Sequence, residues 1–503
     1  MRLRQLLDPT PALHLAPAPS PTSAPSSVPA PSTASAPSLA PAANPAPAAN
    51  PAPAANPAPV RPLSARPRAR YLTAAAAVTA LFALAACGGS SSSSSSSGGS
   101  SAASGTGTIN VGVIGPMTGP AAEIGNLMSG ACYAAVLDVN KAGGVLGRKA
   151  SCALVDDTGD PADAMPNVTR ALATTSNLTM AVGLESNTAA TTIPLVNGAH
   201  IPMVSTNGLV AYDKTSDTYF WRMTPSDDQN GAAFAAWAAK RGYRRAAVVF
   251  QNNIGAQGND PGVVAGIKKT GGTMTTNITI PGDASSYSSV VARVIAGKPQ
   301  VLILAGDPQT SATFLSQYRQ LNGGSVPPVI TSTDSITPAY FSAVKKAMGG
   351  GYMTHSMYFV GSYVSPASHA FSIYKSAVYG ASQIKDPATI LGVGVIASIY
   401  DGINLMGLAM QMAHSTSGPA YNADIAKIAA GSPGAVAVDS YATGLAALKA
   451  GKHIHYVGVG GPIHFNAFHN SPGDFSASGF TASGGPTLLG VIPGTQVQQL
   501  LSG

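Results

Sequence analysis

From residue 108 onward the chain alternates short apolar runs with amphipathic stretches. Ile109–Ile114, Ala153–Val155, Met180–Val182 and Pro202–Val204 have the length and apolar content of buried strands, and segments of helical spacing separate them near 124–140, 161–175 and 186–197. That alternation predicts a parallel sheet flanked by helices. A second series repeats the plan, with strands at Ala246–Gln251, Met274–Ile280, Val301–Leu304 and Val329–Thr331 and helices near 228–241, 260–269, 287–296 and 308–321. The seam between the two falls near Arg222–Asp227. From about residue 366 the pattern turns helical again, near 388–413, 422–430 and 439–449, and closes on a strand-like Tyr456–Phe465. The predicted fold class is α/β, with two doubly wound parallel-sheet lobes.

In open parallel sheets the ligand crevice lies outside the carboxyl ends of the strands, so the loops there are the candidate site. In the first lobe they are Gly115–Gly119, Leu184–Thr188 and Ser205–Leu209; in the second they are Gln251–Gly255, Ala305–Pro308 and Ser332–Ser335.

Composition changes the picture at the amino end. Pro9–Pro59 is Ala, Pro, Ser and Asn in near repeats, with too little apolar surface for a core, and reads as a disordered extension or a mis-assigned start. Six arginines and one aspartate before residue 71 account for +5 of the formal charge of +7, which leaves +2 for the rest of the chain. A nucleic-acid partner thereby loses its main support. The basic stretch Arg61–Arg70, the apolar Leu72–Ala83 and the small residues before Cys87 have the order of a secretory signal. Leu84-Ala85-Ala86-Cys87 also matches a bacterial lipobox, so Cys87 is the expected lipidation site, the alternative being an incidental cysteine after a cleaved signal. Gly88–Gly107 is a Gly/Ser tether that would let a folded domain work at a membrane surface.

Three cysteines show no CxxC or Cys/His spacing, and no metal site or cofactor is expected. Cys132, in a predicted helix, and Cys152, on the next strand, come to similar height in a βαβ unit. They are a candidate disulfide or a pair of buried thiols. His453, His455, His464 and His469 lack helical metal spacing and read as surface residues.

Several motifs in one order carry a resemblance: Gly112–Pro120 (GVIGPMTGP), Asp138–Arg148 (DVNKAGGVLGR), Asp156–Pro161 (DDTGDP), Phe220–Asp227 (FWRMTPSD), Tyr400-Asp401 in a helix, and Gly461–Asn466 (GPIHFN). Together they resemble the type I periplasmic binding proteins of the branched-chain amino-acid (leucine/isoleucine/valine-binding) family, over about Ile109–Phe475. The resemblance implies two lobes joined by three crossovers, near Met223–Asp227, Tyr352–Tyr358 and Gly461–Asn466. It also implies hinge closure on a small polar solute and delivery to an ABC permease by a monomeric binding protein. The domains expected are 108–225 and 356–465 for lobe 1, 226–355 for lobe 2, and 466–503 returning towards lobe 2.

For the ligand, the resemblance points to a carboxylate met by a hydroxyl and backbone amides in Glu185-Ser-Asn-Thr188, where a helix start also attracts an anion. Ser186 and Thr188 are the candidates, with N-capping as the alternative role. Asp334 is placed as the ammonium partner, with Asp307 in the neighbouring loop, and a solvated loop or a helix cap is the alternative for both. Thr118, Asn207 and Leu209 complete the expected set. The sequence departs from amino-acid binders of the family at Ile124 and Ile254, where aromatic residues are usual, and at Gly208-Leu209, where Ala-Thr is common. Relatives take amides and aromatic acids as well.

An enzyme has little to rest on: there is no Gly-x-Ser-x-Gly elbow, Walker lysine loop or His-Glu-x-x-His. Gly392-Val-Gly394 with Ala397 mimics a dinucleotide fingerprint but lies in an apolar helical run, where core packing accounts for it. A ligand sensor that presents its closed form to a receptor is the competing binding-module reading.

Overall fold

The computed structural model describes residues 107–482 and 485–502. The expectations for the leader, the signal, Cys87 and the tether up to residue 106 lie outside them. Among the described residues no helix is long and apolar enough to cross a membrane.

The first sheet contains β1 (Ile109–Gly115), β2 (Ala150–Asp156), β3 (Leu178–Gly183), β4 (Met203–Ser205) and β5 (Phe220–Arg222), all parallel, in the order β2-β1-β3-β4-β5. Alternation on β1 explains why it is central. Val111 and Val113 face the core under helices Ala122–Lys141 and Gly394–Ala413, while Ile114 faces the cluster under Pro161–Thr174 and Ala189–Gly198. A strand covered on both faces reads as a continuous apolar run.

The second sheet is built from β6 (Arg245–Gln251), β7 (Thr273–Ile280), β8 (Val301–Ala305), β9 (Val329–Ser332) and β10 (Met357–Ser362). They follow the order β7-β6-β8-β9-β10, the same winding as the first sheet. A small third sheet joins β11 (Val436–Val438), β12 (Ile454–Gly458) and β13 (Gly461–Pro462). Two further strands, β14 (Phe475–Phe480) and β15 (Pro486–Ile492), extend the second sheet antiparallel beyond β10. The second lobe is therefore a mixed sheet rather than a purely parallel one.

Two expected boundaries move. β10 pairs in register with β9, so the second lobe runs to Ser362 and the crossover follows it, not Tyr352–Tyr358. Gly461-Pro462 is held in a hairpin with β12, which delays the third crossover to the stretch after residue 465. The crossovers are stitched together there: Thr224 Oγ1 lies 3.1 Å from Ser362 Oγ, and Arg222 Nε donates to Asn470 Oδ1 at 2.7 Å.

The apolar run at 388–413 is two helices, Pro387–Gly392 and Gly394–Ala413, because Val393 is extended. The backbone of Gly394 passes so close to Ser362 that a Cβ would lie 2.1 Å from its carbonyl oxygen. This close packing accounts for the Gly-Val-Gly spacing. Cys132 and Cys152 are bonded, with Cα atoms 6.2 Å apart, tying helix Ala122–Lys141 to β2. His469 is not a surface residue: its ring stacks on Trp221 at 3.8 Å, and burial lowers its pKa.

Candidate functional site

Between the two sheets, at the carboxyl ends of their strands, lies a cleft of about 580 Å³. All six loops expected from the sequence contribute to its wall, together with Thr224, Pro225, Asp227 and Gly361-Ser362 from the crossovers and the Val393–Ile396 corner between helices Pro387–Gly392 and Gly394–Ala413. Across the cleft the Ala339 amide donates to Glu123 Oε1 at 3.4 Å, and a Cβ on Gly255 would sit 3.8 Å from Ser186 Cβ, so the lobes meet over the cavity.

In the first-lobe loop, Ser186 lines the cleft and its Oγ accepts from the Gly208 amide at 3.1 Å. Glu185 lines it as well. One carboxyl oxygen, Oε2, accepts from the backbone N and Nδ2 of Asn187 at 2.9 and 3.0 Å; the other, Oε1, is sealed from solvent with no partner among the described residues. Burial first, with the charge of Asp157 adding to it, pushes Glu185 up to about 7. Thr188 stands behind this wall: fully buried, it donates to Asp157 Oδ2 at 2.7 Å and neither caps the helix nor reaches the cleft.

The structure also withholds Thr118, Asn207 and Leu209 from the cleft. Thr118 Oγ1 and backbone N go to Asp156. Burial works against the Asp156 carboxylate, but these bonds and the amides of Met117 and Thr158 hold it below the usual range. Asn207 bonds Ser205 Oγ and receives the Leu209 amide, an internal brace of its loop. Leu209 packs under β4 and β5.

In the second lobe Asp334 and Asp307 both line the cleft. Asp307 caps helix Pro308–Leu321, accepting from Thr310 N at 2.7 Å and Thr310 Oγ1 at 2.9 Å. Asp334 is open to the cleft while ringed by protein, and that desolvation raises its pKa. Of the departures noted in the sequence, Ile124 lines the cavity and Ile254 does not.

Sequence reasoning treated Asp227 as part of a seam, yet it faces the cleft at the start of helix Asp227–Lys240. Its carboxyl receives no hydrogen bond from a described residue, and Oδ2 is shut off from solvent. Desolvation, reinforced by the charge of Asp334 and opposed by Arg222, pushes it up to about 7. Gly208 was singled out as a departure from Ala, and the reason is here: a Cβ on it would lie 1.9 Å from Asp227 Oδ1. No three of the described acidic, cysteine or histidine side chains are grouped to hold a metal ion.

Two similarly wound α/β lobes, joined by three crossovers around a polar cleft, define a type I two-lobed solute-binding protein. A family model described as periplasmic binding protein matches residues 108–472, and the chain belongs to that family. Among curated relatives it is 27% identical over 260 residues to a Leu/Ile/Val-binding protein, BraC3, of Rhizobium johnstonii, covering 48% of this chain and 66% of that protein. It is 25% identical over 202 residues to a Leu/Ile/Val-binding protein homolog of Brucella melitensis, covering 39% and 54%. The chain thus spans between half and two thirds of the length of these relatives. Among solved structures, the substrate-binding protein LivJ of Streptococcus pneumoniae in complex with isoleucine has a TM-score of 0.61 at 16% identity, covering 77% of this chain and 99% of that one. A solute-binding protein of R. palustris in complex with benzoate scores 0.60 at 20% identity, covering 77% and 97%. These likenesses establish the fold.

Proposed function

We propose that this chain captures a small polar solute outside the cytoplasm for an ABC importer, held at a membrane by a lipid on Cys87. The observation that carries the reading is the cleft itself. It is assembled from the carboxyl-end loops of both sheets, and the lobes already touch across its mouth, so a solute bound there would bridge them and favour closure. No residue of the cleft is required to do chemistry. Of the residues expected from the sequence, Ser186 and Asp334 are the proposed ligand contacts, while Asp307 contributes mainly by fixing its helix.

The names of the relatives suggest a branched-chain amino acid or an aromatic acid as the first solutes to try. The test is a thermal-shift screen of the full chain with amino acids, amides and small organic acids. A solute at a hundred times its dissociation constant adds about 2.7 kcal/mol to stability, and a melting point raised by one class identifies it. Solute capture is contradicted if such a library, extended to small organic amines, leaves the melting point unmoved. Metabolic labelling with a radioactive fatty acid, lost in Cys87→Ala, tests the anchor.

A further inference from the structure

Among the described residues the cleft wall carries six acidic side chains, Glu123, Glu185, Asp227, Asp283, Asp307 and Asp334, and no Lys, Arg or His. Acid clusters on protein surfaces are common, but two of these half-buried groups each hold one oxygen that solvent does not reach. Glu185 Oε1 and Asp227 Oδ2 are enclosed and have no partner among the described residues, an arrangement costly for a carboxylate unless a cation completes it. Asp227 has a place built for it: Cβ atoms on Gly208 and Gly258 would lie 1.9 Å from Oδ1 and 2.3 Å from Oδ2. Glycines thus stand on both sides of this carboxyl, and no described residue donates to it.

The first-lobe loop is correspondingly poor for an anion. The backbone amide of Asn187 and one of its two Nδ2 hydrogens go to Glu185 Oε2, and the Thr188 hydroxyl goes to Asp157. Of the loop's side-chain donors, the Ser186 hydroxyl proton and the second Nδ2 hydrogen of Asn187 are left for a ligand, and a carboxylate arriving there would meet Glu185. The acids are also too dispersed for a metal ion, since no three of them are grouped as ligands among the described residues. An extended organic cation fits both facts, with charged ends at separate carboxyls and its methylenes against Ile124, Met128 and Ile396.

We infer that the solute is an organic cation with two amino or guanidino groups and no free carboxylate, bound through Glu185 and Asp227. This rests on the solute-capture reading and narrows its ligand. The experiment is titration calorimetry of the full chain at pH 7.5 with 1,4-diaminobutane, 1,5-diaminopentane and agmatine, set beside leucine and benzoate. The expected result is binding of at least one of the three cations, weakening as NaCl is raised, with no heat from leucine or benzoate at the same concentration. Asp227→Asn and Glu185→Gln should each weaken that binding at least tenfold. Their ligand-free melting points should hold or rise, because each removes an uncompensated buried charge. Should leucine or benzoate bind and the cations fail, the cationic assignment falls and solute capture stands. Should none of these solutes nor any in the wider screen bind, both fall. Cation binding that ignores salt, or that both variants retain at full strength, also overturns the assignment to these two carboxyls.

Discussion

Thr188 and Asp227 show how far a residue's role depends on which way its side chain is turned. The hydroxyl of Thr188 occupies the loop position that the resemblance marks for a ligand, yet it donates inward to Asp157, whose other oxygen takes the Gly159 amide. Burial raises the pKa of Asp157, and the Thr188 bond acts against that shift. Thr188→Val keeps the shape and removes the donor. It should cost about 1.5–3 kcal/mol in urea unfolding, the usual range for a hydrogen bond to a charged group, with a much smaller effect on solute affinity than Ser186→Ala. Ser186 is the residue of the pair that the cleft reaches. Both hydroxyls sit within one turn of a helix start, so spacing alone did not separate them. Asp227 carried no signal of its own, because an aspartate opening a helix is an ordinary occurrence. Only the two glycines packed against it show that the position is special, and they lie far from one another in sequence.

At the level of elements, the runs that were legible are strands buried on both faces. β6 and β8 are nearly uninterrupted in Val, Ile, Leu, Phe and Ala, β1 keeps Val and Ile between Asn110 and its glycines, and an apolar run bounded by turns is a strong strand signal. The strands that were missed lack it. β14 reads FSASGF and is buried along its whole length, but Ser and Gly have low strand propensity, and its place is set by pairing with β10 and β15. β5 is only three residues long. The disulfide works at this scale, joining a helix to the neighbouring strand across a separation of 20 residues. Cys132→Ser with Cys152→Ser, or reduction of the native protein, should lower stability by about 3 kcal/mol, the loop-closure value for a crosslink of this size. Urea midpoints measured with and without reductant would show it, while far-ultraviolet circular dichroism stays unchanged.

Across the whole molecule, three enclosed carboxyls share one electrostatic consequence. Asp401 lies inside the long helix Gly394–Ala413 and takes bonds from Tyr456 O–H at 2.9 Å and Val459 N at 2.8 Å, with the phenols of Tyr374 and Tyr400 nearby. Burial pushes it up to about 7, as it does Glu185 and Asp227. A carboxyl whose pKa is raised on folding binds its proton more tightly in the native state. Its stabilising contribution is full below the unfolded value near 4 and is lost as pH rises through 7. The solute-free protein should therefore melt higher at pH 5.5 than at pH 8. Asp401→Asn should flatten that dependence by up to about 1.4 kcal/mol per pH unit over the window between 4 and 7. A melting point that does not fall between pH 5.5 and 8 would contradict the enclosure of these groups.

What the sequence determined by itself is the repeating strand–helix pattern, hence two similar lobes and the six loops that must face one another, because hydrophobic periodicity is a local property that winding rules convert into a fold. Family membership was legible for the same reason, in motifs fixed by turns and helix starts. Tertiary structure alone decided where the second and third crossovers fall, since β10 and the β12–β13 hairpin are placed by their partners. It decided that Asp307 is spent on a cap, and that Glu185 and Asp227 face the cavity with oxygens unpaired. The sign of the charge in the cleft is a sum over loops distant in the chain, and only folding brings them to one wall.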